Sequence, residues 1–285
     1  MNIIEITNID DPALRIFSGA SEAILYHYNE PGPGFFMAES ANVIIRALEA
    51  GYEPFSMLVE KGRLKNEGEA VFKSIRSLLG DEFLNSVPVY TADRAIVTLL
   101  TGYTLVRGLW AVMKRRPLQS LHDFLTGKNR IAVLYDVVNP TNVGAIIRSA
   151  AALGMDGALL SYDSVDPLTR RSARVSMGTV FQIPWTKLDK NHISGSSLVN
   201  ELKNSGFVTS AMALKDNSVN IDNEALLSSE KLAIFLGTEG NGLPDEVIDA
   251  CDYRVMIPMH HGVDSLNVAA ASAVAFWKIT NKDHA

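Results

Sequence analysis

Cysteine is nearly missing from this 285-residue chain, where Cys251 stands alone. That excludes an internal disulfide and any multi-cysteine metal site. Long apolar runs are missing too. None approaches the ~18 residues that a membrane helix needs, and Met1-Asn-Ile-Ile-Glu5 shows no basic lead before an apolar core, so a soluble cytoplasmic protein is expected. Phosphate-cradling signatures are also absent. The first strand-like stretch of the second half, Ile131 to Tyr135, runs into Asp136-Val-Val-Asn139-Pro-Thr-Asn142-Val-Gly144, with one glycine where a dinucleotide fingerprint has three. Gly237-x-x-Gly240-x-Gly242 has the wrong order and lies late, and no Walker loop occurs. A nicotinamide-dependent oxidoreductase is therefore disfavoured. His260 and His261 are sequence neighbours with no carboxylate or cysteine at ligand spacing, so no metal site is expected.

Basic side chains are scarce at the start and concentrated afterwards. Residues 1–60 hold two against nine acidic ones, residues 61–130 hold twelve against six, and the net charge of the whole is −6. A segment of net +6 in an acidic protein suits either a phosphate-facing surface or a solvated face.

With 47% hydrophobic and 20% charged residues, the chain is long enough for about two domains. Residues 1–36 read as an N-terminal extension, broken at Pro31-Gly-Pro-Gly34. Residues 37–116 read as a small α/β domain. Its helical spacing from Val43 to Leu48 ends at Gly51, followed by strand-like Ser56 to Val59 and Val87 to Tyr90, and an apolar run from Gly102 to Val112. Residues 117–130 read as a linker. In residues 131–285, strands at Ile131–Tyr135, Gly157–Leu160, Phe207–Met212, Leu232–Leu236 and Arg254–Ile257 alternate with helices. The last of these helices is predicted from Asp264 to Trp277. Strands with few charges separated by helices imply a parallel sheet covered on both faces, with ligands bound beyond the carboxyl ends of the strands.

Three blocks fall at or just after such strand ends: Asn139-Pro-Thr-Asn142-Val-Gly144-Ala-Ile-Ile-Arg148, Leu236-Gly237-Thr-Glu239-Gly240-Asn-Gly242-Leu243-Pro244, and Ser265-Leu266-Asn267-Val268-Ala-Ala270. Each combines a glycine or asparagine bend with a polar residue in apolar surroundings. Together they resemble the three motifs of the SpoU-type (TrmH-like) RNA ribose 2′-O-methyltransferases of the SPOUT superfamily. The resemblance runs from Ile131 to Ile279 and includes Asp166-Pro167, Arg174, Ser176, Gly178 and Ile183-Pro184.

The resemblance implies a C-terminal SPOUT domain with a deep trefoil knot, S-adenosylmethionine as cofactor, and a homodimer through knot-side helices such as Ala269 to Trp277. It assigns catalytic roles to Arg148, Asn142, Glu239, Ser265 and Asn267. Cofactor contacts fall to Met212, Ala213, Leu236, Gly237, Ile257 and Leu266. A guanidinium is not deprotonated near neutrality, so Arg148 is read as gripping the phosphate beside the target ribose and stabilising the developing alkoxide. Asn142 suits a helix cap as well as a pocket, and Ser265 and Asn267 suit caps of the last helix.

Glu39 to Glu60 and Val87 to Lys114 resemble the small RNA-binding domain found ahead of many such catalytic domains. On that likeness Arg63, Lys65, Arg107, Lys114, Arg115 and Arg116 contact RNA phosphates. Arg170 and Arg174 do so near the active site. Tyr103 or Trp110 stacks on an unpaired base, although for Trp110 core packing is favoured. The resemblance implies structured RNA as partner, ribosomal RNA ahead of transfer RNA. A catalytically silent RNA-binding relative is the alternative, and a base-methylating relative a further one. Retention of all five candidate catalytic residues speaks against the silent relative.

Overall fold

The computed structural model describes residues 1–18, 21–30, 32–101, 108–191, 193–215 and 217–281, and forms two compact units. The first comprises Met1–Pro117 and Leu168–Gln182, the second Leu118–Pro167 and Ile183–Ala285.

The first unit is built on a five-stranded mixed sheet. In chain order its strands are β1 (Asn2–Glu5), β2 (Phe35–Glu39), β3 (Pro54–Glu60), β4 (Pro88–Ala92) and β5 (Leu109–Lys114), and in space they run β1-β4-β3-β5-β2. β1, β4 and β3 are mutually parallel, whereas β5 runs antiparallel to both β3 and β2. Every residue of β2 is buried, so that strand shows no polar alternation and reads as a featureless apolar run.

The division of the chain departs from expectation in three ways. Residues 1–36 are not a separate extension. β1 pairs along β4, and Ile6, Leu14, Phe17 and Leu25 lie in one buried cluster with Phe35, Leu58, Trp110 and Val112. The stretch 117–130 is not a bare linker either, since it carries the Leu121–Leu125 helix, whose Phe124 and Leu125 enter the core of the second unit. Third, Leu168–Gln182 groups with the first unit although both its flanks belong to the second. It is held there by rings and charges: Phe181 packs on Phe36 and Tyr52, Arg46 donates to the Met177 carbonyl at 2.5 Å, and Arg174 sits 3.6 Å from the buried Glu39 carboxylate.

The second unit is a seven-stranded, all-parallel sheet. Its strands are β6 (Arg130–Leu134), β7 (Gly157–Leu160), β8 (Trp185–Lys187), β9 (Val208–Met212), β10 (Val219–Asn220), β11 (Leu232–Leu236) and β12 (Tyr253–Met256). They are ordered β10-β12-β9-β11-β6-β7-β8. β6, β7 and β11 are wholly buried, as a parallel sheet covered on both faces requires. At the start of β6, Arg130 is buried and spends its guanidinium on the carbonyls of Ser229 and Glu230 at 2.5 and 2.6 Å. The backbone amides of Asn129 and Arg130 donate to Asp156. Among the described residues no helix is long and apolar enough to cross a membrane.

Leu14 is fully buried. Leu14→Ala should lower the unfolding free energy by about 2–4 kcal/mol in urea titration, whereas a loss below about 0.5 kcal/mol, typical of surface substitutions, would make the first 36 residues an accessory after all.

Candidate functional site

The first block turns from strand to helix at the end of β6. Asp136 takes a left-handed conformation (φ 56°), and two buried serines brace the bend. Ser161 Oγ accepts from the Asp136 amide and donates to its carboxylate, both at 2.8 Å, while Ser164 Oγ accepts from Val137 N and donates to Leu134 O. The Pro140–Ala152 helix follows. Asn139 caps it by accepting from Thr141 N at 2.9 Å, and Pro140 stands where no amide donor is needed. Asn142 is therefore not the cap. It lies one turn in, 5% exposed, with its side chain free for another partner.

That partner comes from the third block. The last helix begins at Val268, later than the predicted Asp264, because Asn267 ends the preceding loop as its cap: Asn267 Oδ1 accepts from Ala269 N at 2.9 Å and Ala270 N at 3.4 Å. The amide end of the same side chain points the other way. Asn267 Nδ2 donates to Asn142 Oδ1 at 3.3 Å and to Glu239 Oε1 of the second block. One side chain thus joins residues from all three blocks.

Glu239 is carried by a loop that folds tightly on itself. Thr238 bridges Gly242, and Gly242 N donates to Thr238 O at 3.1 Å. A Cβ on Gly237 would fall 2.4 Å from the Gly242 carbonyl carbon and 2.5 Å from Leu243 N, so only glycine fits there. Gly240 has open space around it but a φ of +90°, which side chains rarely adopt.

Beside this loop lies a cleft of about 810 Å³ at the carboxyl ends of β9, β11 and β12. Met212, Ala213, Leu236, Gly237, Ile257 and Leu266 line it, as do Glu239, Ser265 and Asn267. Its walls are apolar at Leu236, Val255 and Ile257, and backbone comes close at Gly237. Such a space suits a ligand with a flat or aliphatic body and a few hydrogen-bonding edges. Sequence reasoning missed the rim pair Lys215 and Asp245, 2.8 Å apart. Hydrogen bonding to Lys215 holds the Asp245 carboxyl below the ordinary range, and the same bond raises Lys215. Thirty residues separate the two, and no spacing rule links them.

Arg148 is not brought to this group. It is exposed on the Pro140–Ala152 helix, is not among the cleft-lining residues, and has no ion-pair partner among the described residues. Six residues separate it from Asn142, so the two point to different sides of the helix.

The cationic candidates of the first unit are mostly engaged within it. Arg63 pairs with Glu67 at 2.5 Å, Lys114 with Glu53 at 2.9 Å, and Arg174 with Glu39. Arg115 donates to Phe35 O and lies over the Tyr26 ring at 4.6 Å, while Arg116 donates to Ala50 O. Arg170 sits 5.4 Å above Trp110, and its amide donates to Glu22. Trp110 is 1% exposed and packs in the core, so it does not stack on RNA. Lys65 is exposed, without a partner among the described residues. Arg107 and Tyr103 lie outside the described residues.

Asn267→Asp should separate capping from bridging. A carboxylate keeps the cap acceptor but cannot donate to Asn142, and it sets like charge beside Glu239. The melting temperature is expected to move by only a few degrees, while ligand affinity of the cleft, read by calorimetry, falls at least about tenfold. Gly237→Ala should abolish that binding, since its Cβ meets backbone that cannot yield.

Residues 129–277 match the model of the SpoU rRNA methylase family. The whole chain aligns at 31% identity with an uncharacterised tRNA/rRNA methyltransferase of Mycobacterium tuberculosis, covering 94% of that protein. Among solved structures, an AdoMet-bound rRNA methyltransferase from Sinorhizobium meliloti superposes with a TM-score of 0.78 at 22% identity, covering 99% of each chain. An RNA 2′-O ribose methyltransferase does so at 0.75 and 25%, covering 97% of this chain and 98% of its own. With three blocks joined at one cleft and a family match across more than half its length, this chain belongs to the SpoU rRNA methylase family.

Proposed function

We propose that this protein transfers a methyl group from S-adenosylmethionine to a ribose 2′-hydroxyl of structured RNA, ribosomal RNA ahead of transfer RNA. The observation that carries the proposal is the hydrogen-bonded meeting of Asn142, Glu239 and Asn267 at the rim of the 810 Å³ cleft. The 2′-O ribose enzyme among the similar structures supports the ribose as target, and the AdoMet-bound one supports the cofactor.

The cleft fits that cofactor by chemistry: apolar walls at Leu236 and Ile257 suit adenine and the methionine chain, and the bare backbone at Gly237 offers close donors and acceptors. When bound there, S-adenosylmethionine supplies a methyl activated by a sulfonium. Met212, Ala213, Leu236, Gly237, Ile257 and Leu266 hold it. Asn267 and Glu239 fix the loop, and Asn142 and Ser265 orient the ribose. Alignment of the attacking oxygen supplies much of the acceleration.

Arg148, exposed, outside the cleft lining and without an ion-pair partner among the described residues, grips the phosphate beside the target ribose, so that the RNA backbone and not the cleft brings it near the reacting oxygen. It stabilises the developing alkoxide while the 2′-hydroxyl proton passes to a phosphate oxygen. The protein acts as a homodimer through the last helix. Ala270, Val274 and Trp277 form an exposed apolar stripe there, with Val274 41% and Trp277 50% exposed. The trefoil knot of the family belongs to this reading too. It is supported by the interleaved strand order, in which β11 lies between β6 and β9. The first unit, rather than residues 37–116 alone, serves as the RNA-binding part of this reading.

Labelled S-adenosylmethionine incubated with total RNA from a strain lacking the protein, followed by nuclease mapping, should place label on one ribose 2′-oxygen. Label on a base would overturn the ribose assignment. Arg148→Ala should reduce transfer by about a hundredfold or more with cofactor affinity unchanged, and wild-type turnover in that variant would remove Arg148 from the mechanism.

A further inference from the structure

The first unit holds a cavity of its own, about 630 Å³, where the N-terminal helices meet the start of β3 and β4. Tyr28, Phe55 and Tyr90 line it together with Arg15, Ile24 and Ser56. Phe55 stacks on Phe35 with centroids 4.6 Å apart, and Tyr28 lies 5.2 Å from that same ring. Yet Phe55 remains 41% exposed, Tyr28 54% and Ile24 52%. Rings fixed in place and left open to water mark a surface that something covers.

The polar groups narrow what that is. Ser56 is 3% exposed, and its hydroxyl has no hydrogen-bond partner among the described residues. A buried hydroxyl in that state costs stability that an incoming donor or acceptor removes. Arg15 is exposed and has no partner among the described residues. The neighbouring carboxylates are engaged: Asp11 accepts from Ala13 N at 2.9 Å, Glu22 from Arg170 N at 2.7 Å, and Glu30 pairs with His27 at 2.5 Å. With one uncommitted cation in an otherwise acidic stretch, the cavity is poorly suited to a phosphate cluster. An aliphatic segment would leave Ser56 unsatisfied. An uncharged planar ring with hydrogen-bonding edges meets every requirement, its face on the aromatic rings and its edge on Ser56. Arg15 serves the single phosphodiester attached to it.

We infer that this cavity receives one unstacked nucleobase of the RNA substrate. The inference rests on the RNA reading proposed above and assigns to Tyr28, Phe55 and Ser56 the selection of an unpaired nucleotide.

The test uses the full chain and a short single-stranded RNA carrying one 2-aminopurine. Binding should quench its fluorescence. Phe55→Ala and Tyr28→Ala should each weaken affinity about tenfold and reduce the quench, with S-adenosylmethionine affinity and circular dichroism unchanged. Both rings are exposed, so their truncation spares the core. Ser56→Ala should weaken binding without altering the quench of the bound form. Unchanged affinity in both ring variants would overturn the inference. So would loss of self-association by sedimentation with RNA affinity intact, which would make the patch a contact between copies. A wild type that ignores the probe yet methylates total RNA sinks this inference alone, whereas failure of both sinks the reading beneath it.

Discussion

Asn267 divides one carboxamide between two tasks, and the shape of the cleft depends on that division. Its oxygen holds the first amides of the last helix, and its nitrogen holds Asn142 and Glu239. A carboxamide offers an acceptor and two donor hydrogens on one short rigid group. Serine lacks the second donor, aspartate lacks both, and glutamine is too long to cap and bridge together. Three chain segments that leave different strands are thereby located by one side chain, and displacement of any of them loosens the others. The tight Gly237–Leu243 loop follows from the same requirement: it delivers Glu239 to a position already fixed from the other side.

The first unit solves a different problem. A surplus of carboxylates in residues 1–60 faces a surplus of cations in the following seventy, and the fold pairs many of them internally. Glu5 takes Lys61, Glu53 takes Lys114, and Glu39 takes Arg174 from the distant Leu168–Gln182 segment. The two exposed pairs, Glu5–Lys61 and Glu53–Lys114, add little stability individually, whereas Arg174 stands beside a buried carboxylate. Their effect is on the surface field, since Lys61, Arg63 and Lys114 of the basic tract each stand beside a carboxylate of their own unit.

The sequence was most legible where periodicity is strong and local chemistry unambiguous. Gly157–Leu160 and Leu232–Leu236 are strands within the bounds expected, because short uncharged runs flanked by turn residues leave few alternatives. β1 escaped notice since its four residues are all exposed and its order comes from pairing with β4, β10 has two residues, and β8 has three. β2, buried on both sides, shows no alternation to detect. The three blocks were visible as motifs, but their joining was not. A hydrogen bond between residues 125 positions apart depends on a sheet order that no local pattern encodes. The brace of Asp136, Ser161 and Ser164 was invisible for the same reason. Misassigned caps have a simpler cause. Asn139 and Asn142 both suit a helix start, and only the proline between them, which favours the first helical position, decides in favour of Asn139.

The Leu168–Gln182 segment makes the two units inseparable as genetic modules. The backbone passes between them three times, at Pro117, Pro167 and Gln182, so no single cut releases either one whole. A shorter relative without the first unit would have to cover Phe181 and replace the carboxylate at Arg174 by other means, or shorten the crossover between β7 and β8. Gain or loss of the N-terminal part in evolution is thus tied to compensating change in the middle of the methyltransferase sequence, far from the junction itself.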